Sequence, residues 1–254
     1  MRFHVALAFI CAGGAWSPAL AADQLKFGPV PAWVVPNAIP QTGNAPAEAP
    51  FATLLSDQQV RFEVGKAFGF TETAIKIQTG QGLSLGNLSL AWDPATDTVT
   101  VHKLHIRRGA EVIDVLGRGQ TFTTVRREAN LEMAALDGRL TANIQPEGLQ
   151  VGDILDLAVT IEHSDPTFKS HVEAAFAGWN GIPIRAARSR VLWPSTMNLA
   201  FRQSANLPKA RRSSANGLNV LELSSDNVEP LVPPKLAPLR FSLGRIAEVT
   251  SFAS

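Results

Sequence analysis

The sequence predicts an all-β protein, an antiparallel domain of the sandwich type. Every second residue is aliphatic in ILDLAVTI (154–161), and TAIKIQ (73–78) alternates in the same way. This period is typical of half-buried antiparallel strands. Turn signals such as Asp165-Pro166 follow one another too closely for a regular βαβ alternation. We therefore expect short strands joined by hairpins, with Gly152 at positive φ in the turn before ILDLAVTI.

The first 21 residues have the pattern of a secretory signal peptide. Arg2 precedes an apolar run from Val5 to Trp16, and a small-residue exit follows at 19–21. This run of about a dozen residues is shorter than the ~20 that a membrane-spanning helix requires. We expect cleavage after residue 21 and a mature protein in the periplasm or outside the cell, with no transmembrane segment.

The charge and cysteine content of the mature chain exclude several functions. Loss of Arg2 from the 23 basic residues leaves 22, against 22 acidic residues, so no net charge draws the protein to nucleic acid. The only cysteine, Cys11, is also lost with the leader. The mature chain therefore has no disulfide, no thiolate metal ligand and no thiol nucleophile.

The mature chain begins with a proline-rich arm, residues 22–50. Its prolines forbid a continuous helix or central strand, and we expect Trp33 and Val34 to dock the arm on a core. The strand signals occupy residues 51–206, which we expect to form the β domain. Within it, residues 129–136 fit either a helix or a hairpin.

Residues 207–254 are expected to form a connector and a terminal strand. They are polar and proline-rich, apart from the strand-like run LNVLELS and a strand-like tail. The tail, from Arg240 to Phe252, has apolar side chains that a following domain would normally cover. We expect it to lead toward a catalytic domain encoded after Ser254, or else to be exposed, frayed or folded back on the sandwich.

An ordered set of motifs extends roughly from residue 33 to residue 252. It comprises RRGAEVIDVL, RRE, LDGRLTANI and LQVGDILDLAVTI, flanked by PAWV, WDPATDTV and RVLWP. This set resembles the bacterial domain of unknown function that stands N-terminal to transglutaminase-like domains in secreted proteins. The resemblance implies a β-sandwich that leads, through a proline-rich connector, into a papain-like transglutaminase core.

No catalytic residue can be carried over from this resemblance. In such proteins the catalytic cysteine, histidine and aspartate belong to the downstream core, and the mature chain has no cysteine to replace them. No G-x-S-x-G nucleophile motif occurs, and the glycines of GQGLSLG miss the dinucleotide-binding spacing. We therefore expect no enzyme activity and no cofactor.

The histidines offer one weak candidate for a metal site. His163 and Asp165 can share a strand face, and a hairpin would return His171 beside them, a ligand set that zinc accepts. The competing interpretation is a solvated hairpin, since hairpin turns are normally polar, and it is the one we favour. His102 and His105 are three residues apart, so on a regular strand they point to opposite faces.

Trp179 and three arginines form the candidate binding surface. Trp179 lies in the loop-like stretch AGWNGIP, where an indole can stack on a sugar or a peptide. Arg185, Arg188 and Arg190 follow in RAARSR, and the last two share a face if this stretch is a strand. They would bind an acidic partner or a glycan. The alternative, which we favour for the arginines, is a salt-bridged sheet surface, which contributes little on its own.

The function that the sequence predicts is a non-catalytic, secreted module of a transglutaminase-like protein, acting in binding or scaffolding of a partner domain. The partner would be a transglutaminase-like catalytic domain, a cell-envelope protein or a glycan. A first alternative is a carbohydrate- or cell-wall-binding module that uses Trp179 and the nearby arginines. A second is a metal-dependent hydrolase that uses His163, Asp165 and His171.

Overall fold

The computed structural model describes residues 24–126, 138–232, 234–236 and 244–252. These residues form fifteen strands and two short 3₁₀ helices, Gly80–Gly86 and Pro166–Phe168, which confirms the all-β prediction. The segment 129–136, for which a helix or a hairpin was predicted, lies outside the described residues. The strands are β1 (Lys26–Phe27), β2 (Phe51–Glu63), β3 (Lys66–Ile77), β4 (Leu88–Trp92), β5 (Asp97–Arg108), β6 (Glu111–Asp114), β7 (Thr123–Arg126), β8 (Leu140–Ile144), β9 (Ile154–His163), β10 (Glu173–Phe176), β11 (Ile184–Pro194), β12 (Ala200–Gln203), β13 (Arg211–Ala215), β14 (Leu218–Val228) and β15 (Ala247–Thr250).

A nine-stranded sheet is the centre of the molecule. Its strands follow the order β1-β5-β9-β3-β2-β11-β14-β13, and β6 pairs with β5. Most neighbours are antiparallel, as the sequence predicts, but β1 pairs with β5 and β2 with β11 in parallel. A parallel neighbour cannot be reached by a hairpin and needs a long crossover, which the strands between β2 and β11 supply.

Two three-stranded sheets, β4-β8-β7 and β10-β15-β12, cover one face of the main sheet. The larger core packs main-sheet residues such as Phe62 and Trp193 against Phe176 and Val249 of the β10-β15-β12 sheet. The smaller cores pack β5 and β9 of the main sheet against β4 and β8. Apolar residues at every second strand position make these contacts, because alternate side chains point to the same face.

After β1, which is an edge strand of the main sheet, the proline-rich arm crosses the opposite face of this sheet. Val34 is buried against Phe70 and Ala158, with Trp33 packed beside it, so the arm docks where the sequence predicts. Farther along the arm, Ile39 and Ala45 pack on a second buried cluster of β2 and β3.

Residues 207–254, for which the sequence predicts a connector and a terminal strand, also contribute two strands to the main sheet. Strands β13 and β14 lie within that segment, and β14 pairs with β11 along its length. The tail folds back on the sandwich: β15 is the middle strand of the β10-β15-β12 sheet, and its Ala247 and Val249 are buried. None of the described helices is long and apolar enough to cross a membrane.

Candidate functional site

A cavity of about 510 Å³ lies where the ends of β3 and β9 meet strand β10. Its floor includes Ala67 and His163, which are register partners on β3 and β9. The loop from β9 to β10 forms one wall, and β10 with its neighbour β15 forms another. His163, Asp165 and His171 all line this cavity, so the structure brings the three predicted metal-ligand candidates to one place.

His163 is held by a carboxylate. Its Nδ1 lies 2.7 Å from Oδ1 of Asp97, and because a carboxylate only accepts, the Nδ1–H donates. The ring packs edge-on against Phe168, with 6.4 Å between centroids. An imidazole fixed in this way presents its other nitrogen, Nε2, in a defined direction.

Asp165 caps the short 3₁₀ helix in the loop. Its Oδ1 accepts hydrogen bonds from the hydroxyl and the N–H of Thr167, at 2.7 and 2.8 Å, and these bonds lower the pKa of Asp165. The Asp-Pro pair predicted as a turn therefore starts this helix, since Pro166 occupies its first position.

His171 is held by the C-terminal tail. Its ring stacks on Phe252 with 4.5 Å between centroids, and its Nδ1–H donates to the Ser251 carbonyl oxygen at 3.2 Å. His163, Asp165 and His171 thus line one cavity with three different sets of partners. Within the part of the chain that the structure describes, no group of three or more His, Cys, Asp or Glu side chains has the geometry to hold a metal ion.

Among the residues that line the cavity, carboxylates outnumber lysine and arginine. Asp165, Glu173 and Glu248 line it. Lys66 also lines it, but the Lys66 ammonium group forms a salt bridge with Glu162 at 2.8 Å. The hydrogen bond to Glu162 raises the pKa of Lys66, so this lysine keeps its positive charge. The carboxylate of Glu162 balances that charge. Sequence analysis did not identify Glu173 and Glu248, because they come from strands far apart in the chain and have no common local motif.

Trp179 is not a binding surface. Its side chain is 2 % exposed and packs in the larger core, and its Nε1 finds no hydrogen-bond partner among the described residues. The loop after β10 turns inward at Ala177, where φ is 60°, and the Trp179 carbonyl oxygen accepts a hydrogen bond from Arg245 at 2.6 Å. A buried indole cannot stack on a sugar, which overturns the carbohydrate-binding role predicted for this residue.

Two of the three predicted binding arginines contact the protein's own arm. Arg188 forms a bidentate pair with Asp57, at 2.8 and 2.7 Å, and also donates to the Val35 carbonyl oxygen. Arg190 donates to the carbonyl oxygen of Trp33 at 3.1 Å. They share a strand face, as predicted, but this is the face that the arm covers, so they are not presented to an acidic partner.

Arg185 is the remaining member of the predicted surface. Its Nη1 lies 3.6 Å from Oδ1 of Asp226, and both side chains are partly exposed. This is the salt-bridged sheet surface considered as the alternative, and such exposed pairs contribute little to stability.

A partly buried ionic cluster lies on the same face of the sheet as Arg188 and Arg190. Lys103 pairs with Glu72 and, at 3.3 Å, with Asp156, and Arg107 donates to Asp156 at 2.8 Å. Burial raises the pKa of Glu72 even though Lys103 opposes the shift. Lone buried charges are costly, so the opposite charges here support one another.

His102 and His105 lie on the same face as this cluster, contrary to the sequence prediction. The reason is a β-bulge in β5 between Val101 and Lys103, which shifts the alternation by one residue. The His102 Nε2 lies 2.7 Å from the Thr160 hydroxyl, whereas the buried Nδ1 of His105 has no partner among the described residues.

Solved structures with a similar fold include a putative protease from Parabacteroides distasonis, with 12% identity and a TM-score of 0.69 over 80% of this chain and 40% of that chain. An M1 zinc metallopeptidase from Deinococcus radiodurans has 11% identity and a TM-score of 0.37, over 79% of this chain and 42% of that chain. A substrate-bound mutant of that enzyme has 10% identity and a TM-score of 0.38, with the same coverage. The first likeness shows the fold alone, and the metallopeptidase likeness is too low to support an argument.

The chain spans less than half the length of these solved structures. No match is found among the curated proteins. One family model matches residues 65–232, which is more than half of the chain and includes most of the main sheet. The chain therefore belongs to the family described as "Domain of Unknown Function with solved-structure structure (DUF3857)", which confirms the predicted membership in a family of domains of unknown function.

Proposed function

We propose that this chain is a non-catalytic module of a longer secreted protein and that it binds or positions a partner domain. The observation that supports this role best is the coverage of the Parabacteroides distasonis structure. The fold accounts for 80% of this chain but for only 40% of that one, so the same architecture occurs there as one part of a longer polypeptide.

The sequence motifs support a transglutaminase-like catalytic domain as the partner. They resemble the domain that precedes such cores, and the signal-peptide pattern of residues 1–21 supports secretion. The absence of cysteine from the mature sequence supports a non-catalytic role, because the thiol chemistry of a papain-like core needs that residue.

The first test is an activity assay on purified residues 22–254. We expect no transamidation, peptidase or esterase turnover. Turnover that remains with the protein through successive purification steps and disappears on unfolding would overturn the non-catalytic role.

The second test concerns the partner. A transglutaminase-like domain from the same genome, produced separately, should associate with residues 22–254 in sedimentation or calorimetric titration. The DNA after the codon of Ser254 provides an independent check, since an in-frame or frameshifted transglutaminase-like core there would support this partner. If the domain does not associate and no such core is encoded, the transglutaminase assignment is wrong.

A further inference from the structure

We propose that the free edge of β10, together with the cavity beside it, is a strand-addition site for an extended, basic peptide segment of a partner protein. This inference rests on the proposed binding role and specifies the chemistry of the partner. Three features of the described residues support it: an unpaired strand edge, a cavity beside that strand, and acidic residues in the lining of the cavity.

Strand β10 is an outer strand of its sheet and pairs only with β15 among the described strands. Val172, which precedes it, exchanges two hydrogen bonds with Ser251: its N–H donates to Oγ at 2.8 Å and its carbonyl oxygen accepts from the N–H at 2.9 Å. Main-chain groups of an antiparallel strand face its partner at every second residue. The N–H and C=O groups of Glu173 and Ala175 therefore point away from β15, as the donors and acceptors of an unpaired edge.

The cavity follows this strand. Four consecutive residues, 172–175, line it, so it borders the backbone of β10 as well as its side chains. Its volume of about 510 Å³ falls within the range of roughly 300–1,000 Å³ that is usual for ligand pockets. An incoming strand gains main-chain hydrogen bonds from the edge and places alternate side chains in the cavity, as in other cases of strand addition.

The acidic residues that line the cavity favour a basic peptide. Asp165, Glu173 and Glu248 line the cavity, and Lys66 is already neutralised by Glu162. Lysine or arginine side chains of the incoming strand would meet these carboxylates, whereas acidic side chains would be repelled. The rings of Phe168 and His171 provide an apolar surface for the stems of such long side chains.

The test uses residues 22–254 and three short synthetic peptides at neutral pH. One alternates lysine with threonine, one alternates glutamate with threonine, and one alternates lysine with proline. We expect the lysine–threonine peptide to bind, with affinity that falls as salt is added. The other two should bind at least about five-fold more weakly, because one has the wrong charge and the other lacks half of its N–H donors.

Two variants of the protein locate the site. Ala175→Pro removes an outward N–H and places a ring on the free edge, a change that an edge strand tolerates, and should weaken binding of the lysine–threonine peptide at least about five-fold. Glu173→Gln should weaken it about two- to five-fold, as for a charge at the rim of an interface. Glu147→Gln removes an exposed carboxylate that does not line this cavity and is the matched control, with no expected effect.

The outcomes separate this inference from the proposed function. If the transglutaminase-like domain binds but the lysine–threonine peptide does not, the strand-addition site is wrong and the module role stands. Equal binding of the glutamate peptide would overturn the charge argument. A dimer of the protein that Ala175→Pro dissociates would show that the edge pairs with a second copy of this chain, which would overturn the basic-peptide occupant.

Discussion

The side-chain amide of Gln59 forms two hydrogen bonds with the main chain of Val35, one to its N–H and one to its carbonyl oxygen. Its Nε2 donates to the Val35 carbonyl oxygen at 2.8 Å, and its Oε1 accepts from the Val35 N–H at 3.1 Å. Gln59 is fully buried in β2 and its Nε2 also donates to Asp57. Together with Arg188 and Arg190, this glutamine holds the proline-rich arm on the sheet. An arm that cannot form a continuous strand needs such side-chain partners for its main-chain groups.

Replacement of this glutamine should loosen the arm. In Gln59→Leu the Val35 N–H loses its partner, and the Val35 carbonyl oxygen keeps only the hydrogen bond from Arg188. Asp57 also loses the hydrogen bond that the Gln59 amide donates. A lost hydrogen bond typically costs about 0.5–1.5 kcal/mol, and about 1.5–3 kcal/mol when one partner is charged. We expect the free energy of unfolding in urea to fall by about 2–4 kcal/mol, and amide exchange to quicken in the arm before it does in β9. Gln41→Leu changes an exposed glutamine of the same arm and should alter stability by no more than about 0.5 kcal/mol. Equal effects of the two substitutions would show that the amide pairing does not hold the arm.

The ion pair between Arg188 and Asp57 should be coupled strongly. Asp57 is completely buried and the Arg188 side chain is 11% exposed, so Arg188→Met leaves a buried carboxylate without its cationic partner and should cost about 3–5 kcal/mol. The double variant with Asp57→Leu should be more stable than Arg188→Met alone, because it removes the stranded charge. Urea unfolding of the four proteins of this double-mutant cycle measures the coupling, and additive effects would contradict it.

The contribution of His105 to stability should decrease as the pH drops below the ordinary pKa of histidine, about 6.5. Burial lowers the pKa of His105 in the folded protein. The facing carboxylates Asp156 and Asp114 oppose this shift, and the cations Lys103 and Arg107 reinforce it. A lowered folded-state pKa gives stability that is present above the unfolded pKa and is lost as the pH falls through the folded one, because the unfolded chain binds the proton first.

The variant His105→Gln isolates this contribution. Urea unfolding between about pH 5 and pH 8 should give a flatter dependence of stability on pH for the variant than for the parent protein. Parallel curves for the two proteins would mean that His105 does not contribute to the acid sensitivity.

Substitution of Trp179 should affect folding rather than glycan binding. Because the indole is buried in the larger core, Trp179→Ala should destabilise the protein by about 3–5 kcal/mol. Trp179→Phe should cost clearly less, since the indole Nε1 has no hydrogen-bond partner to lose among the described residues. Thermal unfolding and near-ultraviolet circular dichroism of both variants provide the measurement. A stable, natively packed Trp179→Ala protein would contradict the burial.

Alternate residues of the C-terminal tail should stabilise the folded protein to different extents, because only some of them are buried. Val249 is buried between the sheets, so Val249→Asp introduces an unpaired charge and should cost several kcal/mol. Phe252 is 38% exposed at the end of the tail, and Phe252→Ser should cost clearly less. Urea unfolding distinguishes the two variants. A small effect of Val249→Asp would mean that β15 does not belong to the folded core.

The sequence alone was sufficient for the features that depend on neighbouring residues. Alternation in ILDLAVTI predicted β9, and the turn before it has Gly152 at φ 97°, as expected for the residue type that tolerates this conformation. The apolar pair Trp33 and Val34, in a stretch too rich in proline for a strand, correctly predicted where the arm docks. Local patterns are informative here because steric limits on φ and side-chain direction act within a few residues.

Only the tertiary structure decided which distant segments meet. The parallel pairing of β2 with β11 joins Asp57 to Arg188 and directs this arginine to the arm instead of a partner. The bulge in β5 reverses the direction predicted for His102, and packing of the β10-β15-β12 sheet on β11 and β14 buries Trp179. Such contacts join residues far apart in the chain, and the free energy that selects them comes from burial across whole sheets, which no local pattern records.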